Sequence, residues 1–188
     1  MSAIFGWLGR PDPVDLRSAH ARLAHRGTRL RIACATGECT LAQIAQRPEA
    51  MTASRHGVSL VLDGRLYAIG GRPARPLASD AERLLDLYLT QGPRGFDLLD
   101  GDFAVAIWDA RNRRLLLGRD FCGARPLHYT SLPDGTLLFA SEYKALLLAP
   151  DCDLSLDRDM LQRLQGYKHL RSNRTLFAAI RPVGPGTL

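Results

Sequence analysis

Short apolar runs separated by polar turns fill most of this chain, with a few stretches of helical periodicity between them. Residues 4–8 are an apolar run suited to a buried strand. Asp12-Pro13 has the pattern of a cap followed by proline at the first helical position. Leu16, Ala19 and Leu23 share one helical face, and Gly27 is placed to end that helix. Residues 28–55 carry weaker signals for short strands. Residues 58–62 and 65–69 flank Asp63-Gly64, which predicts a hairpin with a tight turn. Residues 70–77, rich in glycine, proline and arginine, predict a loop. Ser79-Asp80-Ala81-Glu82 has the capping-box pattern, in which Ser79 and Glu82 close the first turn. Leu84, Leu85, Tyr88 and Leu89 then form an apolar stripe, stopped by Gly92-Pro93.

Strand signals dominate the second half. Residues 103–108 are largely apolar, as expected of a strand covered on both faces. Residues 115–117 follow a polar turn, and residues 127–129 and 137–140 flank Pro133-Asp134-Gly135. Ser141 is placed to cap a helix through Leu148, and Asp157 another through Leu164. Residues 182–188, rich in glycine and proline, read as the start of a linker. Strands with helices segregated around them predict an α+β fold, with helices over antiparallel sheets.

Composition narrows the function classes. A length of 188 residues suffices for one domain with a real core. No apolar run reaches the length of a membrane span, and the N-terminus lacks the basic-then-apolar pattern of a secretory signal. A cytoplasmic protein without a membrane partner is expected. The net charge is +6, carried almost wholly by arginine, with Lys144 and Lys168 the only lysines. These charges are scattered among acids, which favours a solvated surface over a nucleic-acid interface. Cys34, Cys39, Cys122 and Cys152 form no Cys-x-x-Cys pair and have no histidine pair at ligand spacing. They are expected to be reduced and partly buried, with no metal site. His20, His56, His128 and His169 have no visible partner in the sequence.

Several blocks together resemble one family. Residues 101–109, Gly-Asp-Phe-Ala-Val-Ala-Ile-Trp-Asp, are similar to the Gly-x-Phe-Ala-x-Ala-x-Trp-Asp strand of class-II glutamine amidotransferases, in the variety that forms the N-terminal domain of asparagine synthetase. Leu117-Gly118-Arg119-Asp120 and Gly123-Ala124-Arg125-Pro126-Leu127-His128-Tyr129 resemble its Arg-Asp-x-x-Gly-x-Lys-Pro-Leu-Tyr-Tyr segment. Phe139-Ala140-Ser141-Glu142-Tyr143-Lys144-Ala145-Leu146 matches its Phe-Ala-Ser-Glu-x-Lys-Ala-Leu block. Thr175-Leu176-Phe177, Ile180 and Pro185-Gly186-Thr187 resemble the segment that closes the domain, so the resemblance runs from Ser2 to Thr187. It implies the N-terminal-nucleophile fold, an αββα sandwich of two antiparallel sheets between helices, over residues 1–188.

The departures fall where the family's chemistry lies. An active member begins Met-Cys-Gly-Ile-Phe-Gly, and loss of the methionine frees a cysteine whose thiol attacks the glutamine amide with its own amine as base. This chain has Ser2-Ala3 there. Methionine is removable before a small residue, but a hydroxyl is a far poorer nucleophile near neutral pH. The family's Asn-Gly, whose asparagine stabilises the oxyanion, is Asp63-Gly64 here; a carboxylate donates no hydrogen bond and repels developing negative charge. Arg47 alone is available, with uncertain register, for the arginine that holds the substrate carboxylate. Asp80 corresponds to the aspartate that would bind the substrate ammonium, with helix capping as the simpler role of its segment. His25-Arg26-Gly27 fits the family, while the Pro-Asp that follows it is replaced by Thr28-Arg29. Ion pairing or capping is expected of Arg119-Asp120 and Ser141-Glu142, and core packing of Trp108 and Tyr129.

The resemblance therefore implies a glutaminase-type domain with a degenerate site, of which Ser2, Asp63 and Gly64 mark the altered positions and Arg47 and Asp80 the vestigial ones. Members without the cysteine, the β-lactam synthetases and lasso-peptide macrolactam cyclases, use an amine already present in the substrate. Their second domain activates a carboxylate with ATP and magnesium. The start Met-Ser-Ala-Ile-Phe-Gly and the arginine-rich composition are more similar to the lasso-peptide cyclases. The Ser-Gly-Gly-x-Asp-Ser loop of that second domain is missing; Gly70-Gly71 is followed by Arg72-Pro73. The chain is thus expected to be a fragment, an isolated domain or one half of a split protein, needing no cofactor itself. Its expected partners are the synthetase domain or subunit, with a precursor peptide, a leader-binding protein and a leader protease further out. Two alternatives are an N-terminal-serine amidohydrolase built on Ser2 and a stand-alone peptide-binding module.

Overall fold

A computed structural model of the chain describes residues 1–46, 51–73, 79–166 and 174–188. One antiparallel sheet holds β1 (Ser2–Leu8), β2 (Arg29–Ala35), β3 (Cys39–Ala45), β9 (His128–Ser131), β10 (Leu137–Ala140) and β11 (Arg181–Pro182), in the order β11-β9-β10-β1-β3-β2. The second holds β4 (Thr52–Arg55), β5 (Val58–Ile69), β6 (Arg72–Pro73), β7 (Leu99–Asp109) and β8 (Arg114–Arg119), in the order β4-β5-β7-β8 with β6 on the far end of β5. The helices are α1 (Leu16–Leu23), α2 (Asp80–Gln91), α3 (Tyr143–Leu146) and α4 (Arg158–Gly166).

The two-residue side-chain period of the strands builds four layers. Ala3, Phe5 and Trp7 of β1 pack with Ala19 and Leu23 of α1 and Ala145 and Leu146 of α3. Leu60 and Leu62 of β5, with Val105 and Ile107 of β7, pack under Leu84, Leu85 and Tyr88 of α2. The intervening positions, Ile4, Leu41, Val61, Ala104, Ala106 and Trp108, meet between the sheets. Strands apolar on both faces are thus explained by cover on both faces, and the result is the αββα sandwich of two antiparallel sheets between helices.

The capping box at α2 is formed as expected: the Ser79 hydroxyl accepts from Glu82 N at 3.2 Å and the Glu82 carboxylate from Ser79 N at 2.9 Å. Asp157 likewise caps α4, accepting from Met160 N at 3.2 Å. Residues 28–55 do contain strands, β2 to β4.

Elsewhere the sequence expectations need correction. The cap of α1 is Asp15, whose carboxylate accepts from Arg17 N and Ser18 N, while Asp12 sits in a left-handed turn at φ 47°. Ser141 caps no helix; its hydroxyl is drawn inward to the strands, and Glu142 at the cap position of α3 makes no side-chain cap hydrogen bond. Gly70-Gly71 form a turn, residues 72–73 pair with β5, and residues 74–77 of the predicted loop lie outside the described residues. Residues 181–187 are no free linker: Val183 N donates to Leu127 O, Gly186 N to Asp120 O and Arg119 N to Thr187 O, each at 2.9 Å.

The largest correction concerns Asp63-Gly64. There is no hairpin; β5 runs through both residues and pairs with β7 from Val58↔Asp109 to Ile69↔Leu99. A two-residue turn needs special backbone angles, and here only Gly64 has a positive φ, 128°. A Cβ on Gly64 would stand 1.9 Å from the Asp102 carbonyl oxygen. The glycine serves the close approach of two strands, and the long apolar partner β7 overrides the local turn signal.

Candidate functional site

Alternation along β1 and β5 sends Ser2 and Asp63 into the layer between the sheets, on the faces that also carry Ile4 and Val61. There Ser2 Oγ donates to Asp63 Oδ1 at 2.5 Å. Asp63 is fully buried. Its second oxygen accepts from Ser141 Oγ at 3.4 Å, and Ser141 Oγ itself accepts from Ile4 N at 2.9 Å. Two guanidinium groups flank the carboxylate, Arg26 at 3.7 Å and Arg125 at 3.9 Å. Burial pushes the Asp63 carboxyl up, against the opposing pull of Ser2, Arg125, Arg26 and Ser141.

Each partner is held from behind. Arg26 Nε donates to Glu142, and its Nη1 donates to Ser2 O at 3.2 Å, which ties the turn after α1 to the start of β1. His25 Nε2 and Lys144 Nζ complete the Glu142 cluster at 2.8 and 3.0 Å. Burial disfavours the Glu142 carboxylate, but hydrogen bonds from Arg26, His25 and Lys144 outweigh it and bring the group down to about 2. Gly27 lets this turn touch β3, since a Cβ there would lie 2.2 Å from the Ala45 backbone. Arg125 is presented by its neighbours. The Asp120 carboxylate accepts from the amides of Phe103, Ala124 and Arg125, and the Arg119 guanidinium donates to the carbonyls of Gly123, Arg125 and Val183 at 2.6–2.7 Å. Arg119 and Asp120 thus organise a loop, by hydrogen bonds to backbone.

Above Ser2 and Asp63 opens a pocket of about 300 Å³, lined by Met1, Ser2, Gln43, Gly64, Arg65 and Arg125 among others. The Gln43 amide is already committed, donating to Leu62 O and accepting from Met51 N. Ser2 N is an amide in this chain, and the Met1 carbonyl accepts from Gln46 N at 3.2 Å. Ser2 and Gly64 therefore line the pocket together, with the buried Asp63 bonded to Ser2 behind its wall. Asp80 is turned to structure: its carboxylate accepts from Leu66 N at 3.0 Å and faces Arg83 at 3.5 Å. Arg47 and His169 lie outside the described residues. Trp108 is buried and Tyr129 partly so, both in the inter-sheet core. His128 is also partly buried, with Nδ1 3.3 Å from Ser141 O. The cysteines are all free thiols, with Cys39 and Cys152 buried but Cys122 exposed.

Sequence reasoning missed that Arg26, Arg125 and Ser141 converge on Asp63. The available signal was an acid in the middle of an otherwise apolar strand, which demands partners. Chemically, a carboxylate beside the Ser2 hydroxyl accepts its proton, but it also opposes negative charge building up at the same place. No helix among the described residues is long and apolar enough to cross a membrane.

Comparison with known proteins follows the same lines. The family described as "Glutamine amidotransferase domain" matches residues 1–188. Asparagine synthetase [glutamine-hydrolyzing] 3 of Bacillus subtilis is 32% identical over 151 residues, covering 74% of this chain and 24% of that protein. Asparagine synthetase B of Escherichia coli is 37% identical over 95 residues, 47% of this chain and 17% of that protein. The chain thus spans a quarter or less of these relatives' length. Among solved structures, the B. subtilis glutamine phosphoribosylpyrophosphate amidotransferase complexed with ADP and GMP superposes with a TM-score of 0.58 at 17% identity, over 78% of this chain and 43% of that one. Its likeness concerns the fold. With an αββα sandwich and a family match over its whole length, the chain belongs to the class-II glutamine amidotransferase domains, in their asparagine-synthetase-like form.

Proposed function

We propose that this domain is inactive as a glutaminase and serves as the scaffold of an asparagine-synthetase-like, ATP-dependent amide ligase. The observation that carries the proposal is the 2.5 Å hydrogen bond from Ser2 to the buried Asp63 carboxylate. The resemblance puts the thiol nucleophile and the oxyanion-stabilising amide at these two positions. A hydroxyl replaces the first and a charge of the wrong sign the second. Glutamine then supplies no ammonia, and the nucleophile of the ligase is an amine already in its substrate.

Within that class the start Met-Ser-Ala-Ile-Phe-Gly favours a lasso-peptide macrolactam cyclase. ATP and magnesium belong to the acyl-adenylating domain, and the domain described here contributes no residue to their binding. Its partners are that synthetase domain or subunit and, through it, a precursor peptide with its leader-binding protein and protease. Residues 1–188 alone are expected to give no ATP–pyrophosphate exchange. The protein that carries them with a synthetase domain is expected to form its amide with neither glutamine nor ammonium in the medium. Exchange by residues 1–188 alone, or a strict requirement for glutamine, would overturn the proposal.

One observation favours a second function, an N-terminal-serine amidohydrolase: the same Asp63 carboxylate is placed to accept the Ser2 proton. Its cost is the charge beside the oxyanion, which makes it the weaker of the two.

A further inference from the structure

The pocket above Ser2 is electrically one-sided. Arg65 and Arg125 line it, and no acid is among its described lining residues. Neither guanidinium has a hydrogen-bond acceptor among the described residues, and Arg125 has only its 3.9 Å ion pair with the buried Asp63. Arg65 stands opposite Asp102 across the β5–β7 ladder, yet no ion pair joins them; the Asp102 carboxylate accepts from Tyr67 at 2.7 Å instead. Gln43 is already bonded through both ends of its amide. Asp80 is turned to Leu66 and Arg83. Among the described residues the pocket therefore offers unmatched donors and positive charge to an incoming group and no free carboxylate. Its volume of about 300 Å³ suits a small molecule or the end of a chain.

We propose that this pocket receives an anionic group, a carboxylate or a phosphate, gripped between Arg65 and Arg125, on a ligand without an accompanying ammonium. Guanidinium donors match both oxyanions in shape and charge. A zwitterionic amino acid fits less well, because its ammonium would face two arginines with no partner. The inference goes beyond the ligase proposal and does not depend on it.

The test uses succinate, inorganic phosphate and glutamine as probes in an amide-resolved NMR titration of the protein at about 0.15 M salt. Succinate or phosphate should shift the signals of Gly64, Arg65 and Arg125 saturably. Arg65→Met should weaken that binding about tenfold or more, through loss of a charge-assisted hydrogen bond. Arg65 has no ion pair among the described residues, so this variant should keep native stability; Arg125→Met should act the same way on binding. The tighter of the two anions identifies the ligand's head group. No saturable shift with either anion, binding unchanged in both variants, or glutamine binding more tightly than both anions would each overturn the inference. An anion-indifferent pocket would leave the ligase proposal standing, because that proposal is read from ammonia supply.

Discussion

Ser2 Oγ and Asp63 Oδ1 are 2.5 Å apart, although 61 residues separate them in the chain. The hydroxyl that stands in the nucleophile's place is bound to a buried carboxylate, and that carboxylate in turn is balanced by Arg26 and Arg125. The cluster is an electrostatic unit between two sheets, with Arg125 also facing the pocket, and its members are expected to act together.

Removing the carboxylate should therefore hurt. Asp63→Ala leaves two arginines and two hydroxyls around a void, and is expected to destabilise the fold by about 3 kcal/mol, the usual consequence of breaking a buried ion pair from one side. Asp63→Asn keeps an acceptor for Ser2 and should cost less. Urea unfolding of the two variants measures this. Equal and negligible losses would show that the carboxylate is not the hub of the cluster.

Asp63, which is buried, and Glu142, which is partly buried, should show opposite pH signatures. The Asp63 carboxyl is raised above its unfolded value, so its contribution to stability is full below about 4 and is lost as pH rises through the folded value. Glu142 is lowered to about 2, so its contribution is full above its ordinary 4.5 and is lost as pH falls toward 2. The second effect is on the order of 3 kcal/mol. Asp63→Asn should abolish the loss on the rising side, and Glu142→Gln the loss on the acid side. A pH–stability curve unchanged by either substitution would contradict the assignments.

Gly64→Ala should be among the most damaging small substitutions. The residue combines a φ of 128° with a Cβ position 1.9 Å from a backbone oxygen, and about 3 kcal/mol of destabilisation is expected. A shift of the urea midpoint with an unchanged slope reports it.

Arg119 is expected to act on order, through the three carbonyls it bonds. In Arg119→Ala, amide exchange at residues 123–125 and at 183, 184, 186 and 187 should speed up about tenfold or more, with α2 unaffected. Uniform acceleration across the domain would mean that the arginine stabilises the whole fold equally.

Local features were the ones legible in the sequence. The capping box at Ser79 and Glu82 is contained in four residues, and the apolar run at 103–108 announces its own two-sided burial. Asp63-Gly64 reads locally as a turn because its true constraint is remote: pairing with Ala104 and Phe103 on β7. Asp12-Pro13 is a strong local cap signal, whereas the actual cap at Asp15 depends on where α1 docks on β1. At the site, Ser2 and Asp63 were visible as altered positions in a familiar pattern. That Ser141 reaches Asp63 across 78 residues, with Arg26 and Arg125 closing the cluster, comes from the stacking of two sheets, which no window of sequence contains.

The central claim is that the pocket no longer hydrolyses glutamine. Glutamate release from glutamine should be measured on protein whose N-terminus has been defined by intact mass, so that Ser2 is known to be free. Release at the buffer rate, unchanged by Ser2→Ala, is the predicted result. Release above that rate, abolished by Ser2→Ala, would contradict it.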